Sequence, residues 1–512
     1  MTAAAGRDDA APLTGGWLWI AAIVLALGNF VAVLDMTIAN VSVATIAGGL
    51  GVSTSQGTWV ITSYSVAEAI IVPLTGWLAA RFGPVKVFVA AMALFGLCSA
   101  ACALSGSFDL LVAARVAQGL AGGPLMPMSQ TLLLRIFPRE KAAAATGLWA
   151  VTTLVAPVLG PILGGVLCDD LSWPWIFMIN VPLAGLCSVF AWWLLKRYRD
   201  APQWAPIDKV GMALLVVWVA ALQIMLDQGK DLEWFASGQI RLLAIVAAIG
   251  FSAFMIWEMT DRHPAVDLRV FRHRGFALGT LTLVLTFGGF FAVNVTTPLW
   301  LQNYMGYTAT WSGRTLAWSG ATAVLVAPMA AMLSTKVDPR ALVFGGVSWI
   351  AAVTLFRSVA TTDMGYWDIA LPIVALGFGL PFFFVPLTGL ILGSVEESEV
   401  ASAAGLMNFL RTLAGAVATS LVNTAWEDGI KSARADLVAI SDRGGETLAM
   451  LIDSTGSPEA ARAALERVVE PQAAMLATND LMMATAAIVA VAALSVWLAP
   501  RPAHAVDVSQ AH

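Results

Sequence analysis

The apolar residues of this chain are gathered into long runs broken by short polar stretches. Each run covers about 18–25 residues, enough for a helix to cross a hydrocarbon core of roughly 30 Å. Spans are predicted at roughly 17–43, 55–79, 85–106, 109–134, 142–167 and 175–195, then at 210–227 and 240–258. Six more follow at roughly 276–300, 312–333, 341–360, 368–392, 400–425 and 477–499. The pattern predicts an all-α membrane protein with fourteen transmembrane helices, arranged as two six-helix halves plus two inserted helices. Residues 1–16 read as a polar tail, 17–195 as the first half and 196–275 as the insert with its flanking basic loops. Residues 276–499 read as the second half, with a long outer loop at 427–476, and 500–512 as a second tail. The run beginning at Trp17 is too long for a cleaved signal peptide and follows no basic stretch, so it is expected to remain as the first span.

Composition supports a lipid environment. Of 512 residues, 59% are hydrophobic and 12% charged, against about 25% charged in a soluble domain. Cys98, Cys102, Cys168 and Cys187 sit in or beside apolar runs and read as small hydrophobic filler, not as a disulfide framework or metal site. Charge placement says more than the net charge of -5. Basic residues such as Arg81, Lys86, Arg135, Lys141, Arg197 and Arg272 gather on alternate connections, whereas the short connections on the other side hold only Lys230, Arg241 and Arg314. The positive-inside rule then puts both termini in the cytoplasm of a multi-pass bacterial inner (plasma) membrane protein. The stretch 427–476 is helix-prone, with Ser457-Pro458 placed as a helix start, and is either an inert loop or a docking surface for a periplasmic partner.

Several short motifs add chemistry. Between the second and third spans lies Gly76-Trp77-Leu78-Ala79-Ala80-Arg81-Phe82-Gly83-Pro84-Val85-Lys86, whose glycines permit close approach and a tight turn. The fourth span carries Leu111, Arg115, Gln118 and Gly119, and the fifth carries Gly160-Pro161-Ile162-Leu163-Gly164-Gly165, a small-residue packing surface with a kinking proline. These resemble three signatures of the major facilitator superfamily, the last belonging to its exporting branch. Ala80 departs from the first signature, which has an acidic residue there. Leu34-Asp35-Met36-Thr37-Ile38-Ala39-Asn40-Val41 and Trp175-Ile176-Phe177-Met178-Ile179-Asn180-Val181-Pro182 are similar to the fourteen-helix drug:proton antiporters. Gln56-Gly57-Thr58-Trp59-Val60, Asn408-Phe409-Leu410-Arg411-Thr412-Leu413-Ala414-Gly415 and the long outer loop look most like the EmrB-type multidrug pumps. The resemblance implies the major facilitator fold and a pump exchanging protons for hydrophobic drugs and uncouplers. It also implies a periplasmic membrane-fusion adaptor and an outer-membrane channel as partners.

A charge inside a bilayer is costly, so each one is a candidate for function. Asp35 is expected about 12 Å below the outer end of the first span and Arg115 about 9 Å below that of the fourth, so a pair is possible. Asp35 reads either as the proton site or as half of a static ion pair. Glu68 is either a second proton site, a holder of cationic cargo, or a protonated carboxyl bonded to a neighbouring helix. Arg411, beside Asn408, lies too deep to snorkel; it either attracts anionic cargo or locks the second half. Arg357 reads as an interfacial anchor. His263, His273, His504 and His512 lie outside the spans and are poor coupling candidates. No nucleotide-binding loop of the Gly-x-x-x-x-Gly-Lys-Ser/Thr kind occurs, so no cofactor is expected and a proton gradient is left as the driving force. Nothing reads as an enzyme or a nucleic-acid binder. Three functions fit: a polyspecific drug exporter, a dedicated exporter of one endogenous compound, and a transport-dead sensor or scaffold. The fifth-span motif and Asp35 weigh against the last.

Overall fold

The computed structural model describes residue 13 and residues 15–198, 208–262, 264–441, 446–455 and 457–500, all helical or connecting, with no strand among them. The expected polar tails fall almost wholly outside these residues, as do residues 199–207 of the basic connection around 196–209. Among these residues fourteen long helical segments lie at the positions of the predicted spans, one of them in two pieces. α1 is Gly16–Leu50, α2 Trp59–Phe82 with a tighter turn at Val72–Leu74, and α3 Pro84–Ala103. α4 comes in two pieces, Phe108–Gly122 and Leu125–Ile136; α5 is Arg139–Asp170 and α6 Trp175–Leu195. α7 (Lys209–Gln228) and α8 (Gly238–Thr260) form the insert. The second half holds α9 (Arg274–Tyr304), α10 (Ala309–Ser334), α11 (Pro339–Arg357), α12 (Tyr366–Leu392), α13 (Val400–Ser441) and α14 (Pro458–Ser495).

Twelve of these helices are individually long and apolar enough to cross a membrane. α5 joins them as a bent span, Ala144–Pro157 meeting Ile162–Cys168 at 45° across the Gly160-Pro161 step. α4 breaks at Gly123-Pro124, where proline lacks an N–H to donate. A side chain at Gly123 would collide with Ile71 of α2, so this glycine also sets how closely the two helices meet. Several helix starts are capped, including the one expected at Ser457: Ser107, Asp208, Thr308, Asp338 and Ser457 each accept a bond from a backbone N–H of the first turn.

In the first half α1 packs on α5 and α6, α2 on α4, and α3 on α4 and α6; in the second, α9 packs on α13 and α14, α10 on α12, and α11 on α12 and α14. The halves meet where α2, α4 and α5 face α10, α12 and α13. α7 packs against both halves, on α2 and α13, while α8 packs chiefly on α7 and turns Ile245, Ile249, Ile256 and Met259 outward, as a lipid-facing helix should.

The helix propensity of 427–476 and the helix start at Ser457-Pro458 are borne out, but little of the stretch is loop: α13 runs on to Ser441, Glu446–Thr455 forms a short helix, and α14 begins at Pro458, well before the predicted span at 477. Alanine-rich sequence favours helix, and an Arg434–Glu466 ion pair of 2.5 Å ties the two extended helices together. Polar residues on a solvated helix carry no hydropathy signal, which is why the runs appeared to end early.

Candidate functional site

The charged residues of the first half converge on one buried knot. Asp35 of α1 is 1% exposed and Arg115 of α4 is wholly buried, with Arg115 Nη1 2.6 Å from Asp35 Oδ2. The other carboxylate oxygen accepts from Gln118 Nε2 at 3.0 Å and from Asn180 Nδ2 at 2.7 Å. Arg115 also donates through Nε to the Val60 carbonyl at 2.9 Å and through Nη1 to Gln118 Oε1 at 2.8 Å. Its guanidinium lies 4.2 Å from the Tyr64 ring centroid and 5.5 Å from that of Phe177. Ser99 accepts from both Gln118 and Asn180 and donates to the Phe177 carbonyl. Five helices, α1, α2, α3, α4 and α6, are thus tied to one carboxylate. The pairing read from sequence depth is present; Asn180 and Ser99 were not singled out, although Asn180 lies inside a motif already quoted.

Small residues let these helices close. A side chain at Gly119 would strike the Tyr64 carbonyl of α2, and one at Gly160 would strike Thr37 of α1. Gly164 is buried, but a side chain at Gly165 would meet open space, so close packing does not explain that glycine. The side chain of Pro161 lies outside the described residues. Gly83 has a φ of 86°, a conformation only glycine adopts comfortably, at the turn between α2 and α3. Arg81 stacks at 5.9 Å on both Trp77 and Phe82, and Lys86 is exposed. Gly76 faces the other half, where an added Cβ would lie 2.7 Å from the Ser402 Cα of α13.

A second cluster lies on the boundary between the halves. Arg411 of α13 is 4% exposed and reaches Met126 of α4 with one terminal nitrogen, while its guanidinium lies 5.8 Å from the Trp149 ring and 5.2 Å from that of Phe287. Asn408, one turn earlier, donates to Gln130 Oε1 of α4 at 2.9 Å. Ser129 accepts from Trp149, and Asn29 of α1 donates to Thr152 and Thr153 of α5. Glu68 of α2 is half-buried and feels the charges of Arg411 and Arg115, but among the described residues neither is within ion-pair distance. Arg357, at the end of α11, donates to Thr297 of α9 at 2.8 Å.

The insert adds a feature with no sequence signature. An apolar cavity of about 810 Å³ lies between α7, α8 and α13, walled by Trp218, Phe251, Phe254, Phe409 and Leu413 among others.

Comparison with known proteins fits this arrangement. Residues 25–419 match the sequence profile of the Major Facilitator Superfamily. The multidrug export protein EmrB of Escherichia coli is 39% identical over 496 residues, 96% of this chain and 97% of that protein. Its namesake in Haemophilus influenzae is 44% identical over 418 residues, 81% of this chain and 82% of the relative. The fatty acid resistance protein FarB of Neisseria gonorrhoeae is 39% identical over 500 residues, 97% and 99% of the two chains. Among solved structures, the human organic anion transporter MFSD10 (TETRAN) superposes with a TM-score of 0.56 at 14% identity, covering 92% of this chain and 99% of that one, a likeness of fold. By profile, by identity over nearly its whole length and by its helical architecture, this chain belongs to the Major Facilitator Superfamily, in the branch of the EmrB multidrug export proteins.

Proposed function

We propose that this protein exports hydrophobic toxic compounds across the bacterial inner membrane in exchange for protons, with both termini cytoplasmic and Asp35 as the proton site. The observation that carries the reading is a single carboxylate of α1, nearly inaccessible, held directly by side chains of α4 and α6 that are in turn bonded to α2 and α3. Protonation removes the charge that attracts Arg115 and weakens the bonds from Gln118 and Asn180, since hydrogen bonds to an ionised acceptor are the stronger kind. The first half is then freer to rearrange against the second, and cargo and proton need not occupy it together. Glu68, at the boundary and near no ion-pair partner, is suited to cationic cargo or to a second proton. The kinship with EmrB proteins supports a drug cargo, and the α13–α14 extension offers a surface for a periplasmic adaptor leading to an outer-membrane channel. A narrower cargo range finds support in the equally similar fatty acid resistance protein.

The test is transport of dyes, uncouplers and fatty acids by purified protein in liposomes under an imposed pH gradient, comparing wild type with Asp35→Asn. Gradient-driven movement that the variant loses, at equal expression, is the expected result. Equal transport by the variant would reduce the Asp35–Arg115 pair to a static tie.

A further inference from the structure

The proposed proton exchange gives the two-helix insert no part. Between α7, α8 and α13 lies the cavity of about 810 Å³, and all of its lining residues are apolar or aromatic. Sites that hold a compact small molecule carry a few placed polar groups to orient it, whereas a hydrocarbon chain needs none. The wall follows α8 from Ala244 to Met259, about 22 Å at a rise of ~1.5 Å per residue, more than the ~15 Å half-thickness of a hydrocarbon core. Phe251, Met259 and Phe271 on that wall are exposed, so the cavity is a groove that opens onto the bilayer. A gap left against lipid would forfeit dispersion contacts along its whole length, and an acyl chain restores them.

Charge gathers at one end of this groove. Val266, Leu268 and Phe271, from the connection between α8 and α9, form its wall there. The same connection carries Arg262 and Arg269, both exposed and, among the described residues, in no ion pair. Arg269 Nη2 lies 3.4 Å from the Asp261 carbonyl, two residues past Met259, which sets this cation at the mouth of the groove. Arg272, by contrast, is taken by Glu396 and Glu399. Nearby, Asp267 accepts from the Arg269 backbone N–H and Glu258 from that of Val266.

We infer that this groove binds an anionic phospholipid of the bilayer, with one acyl chain between α8 and α13 and the phosphate held by Arg262 and Arg269. Basic pockets between membrane helices on the cytoplasmic side bind anionic headgroups, and in the orientation proposed above the α8–α9 connection faces that side. The chain packs on Leu406, Phe409 and Leu413 of α13, the helix that also meets α2 and α4 of the first half. The lipid thus fills the space between the insert and the second half and is a resident of the site, not cargo.

The experiment titrates purified, delipidated full-length protein in detergent with dioleoylphosphatidylglycerol or dioleoylphosphatidylcholine and follows the first bound lipid by native mass spectrometry. The two lipids share their chains and differ in headgroup charge. Wild type is expected to prefer the phosphatidylglycerol by about tenfold or more, since each basic residue near a membrane surface is worth roughly fivefold. The double variant Arg262→Gln, Arg269→Gln should lose that preference and keep its affinity for the phosphatidylcholine. Arg241→Gln, on the opposite connection, should change neither. Ala248→Trp puts a ring into the groove from an exposed position of α8 and should weaken both lipids together. Excess glycerol 3-phosphate should displace neither, because it lacks the chain. A preference intact in the double arginine variant, or unchanged lipid affinity in Ala248→Trp, overturns the inference. So does equal binding of the two lipids by wild type, which would make the groove an apolar gap that any chain fills. Displacement of the lipid by glycerol 3-phosphate, or by a dye that the liposome assay shows to be transported, overturns it as well. Binding in detergent needs neither a gradient nor a defined orientation, so the export reading and this one can fail separately.

Discussion

Arg115 and Arg411 are both buried in membrane helices and both lie against two aromatic rings. They differ in what neutralises them. Arg115 has Asp35 at 2.6 Å, and the pair is enclosed within one half by hydrogen bonds from Gln118 and Asn180. Arg411 has a methionine sulfur, two rings and an orphaned Nε, and it sits on the boundary between halves. A charge closed inside one rigid unit is balanced there and changes only if its partner is protonated. A charge on a boundary is balanced by whatever the boundary admits. The proposed mechanism places the proton in the first arginine's neighbourhood, where a change of charge has a partner to act on.

The largest expected effect would break this contrast if it failed. Arg115→Gln leaves Asp35 buried without its partner, a change that costs about 3–5 kcal/mol when a buried pair is halved. Thermal unfolding in detergent should show a marked drop. Arg411→Gln removes a charge with no partner to orphan, so the melting temperature should hold or rise; equal drops would erase the distinction. Next in size, adding Asp35→Asn to Arg115→Gln should recover about 1–3 kcal/mol through coupling of adjacent sites, without restoring gradient-driven export. A recovery of export would remove the proton role from Asp35.

Smaller effects sharpen the boundary. Gly76→Ala pushes a methyl into Ser402 and should cost about 1–3 kcal/mol in the state where α2 and α13 touch, slowing export, with Ser402→Gly restoring part of the rate. Export at the wild-type rate by Gly76→Ala would show that this α2–α13 contact does not limit transport. The smallest effect concerns pH outside the membrane. Glu399, just before α13, accepts from Arg272 at 2.7 Å and pairs with His273 at 2.9 Å. Burial pushes its carboxyl up, but the Glu396 backbone N–H, His273 and Arg272 outweigh this and hold it below the usual carboxylate range. A depressed folded value means the stabilisation is present at neutral pH and is lost as pH falls through that value. The protection factors of the amides around Glu397–Glu399, taken against the intrinsic exchange rate at each pH, should therefore fall in acid, and Glu399→Gln should flatten the dependence.

The spans were legible in the sequence because lipid tolerates no long polar interruption, and Asp35 and Arg115 because a charge at that depth stands out. Their partners Ser99 and Asn180 were less so, since uncharged polar residues are common in membrane helices and signal nothing alone. Gln130 and Asn408 lie 278 residues apart, and no local pattern predicts a bond across the two halves. The helix start at Ser457-Pro458 was legible from its capping residues, but the unbroken run of α13 past 425 was not, because a solvated helix carries no hydropathy signal. The cavity beside Trp218 and Phe409 depends on how far α8 stands from α13, which no single segment encodes.

The account depends most on Asp35 giving up its proton when cargo binds. The direct measurement is the pH change in a weakly buffered detergent solution of purified protein on adding, at matched pH, a dye that the liposome assay shows to be transported. Wild type should release protons in proportion to drug bound, and Asp35→Asn should bind drug and release none. Matching release by the variant, or none by wild type, would contradict the account.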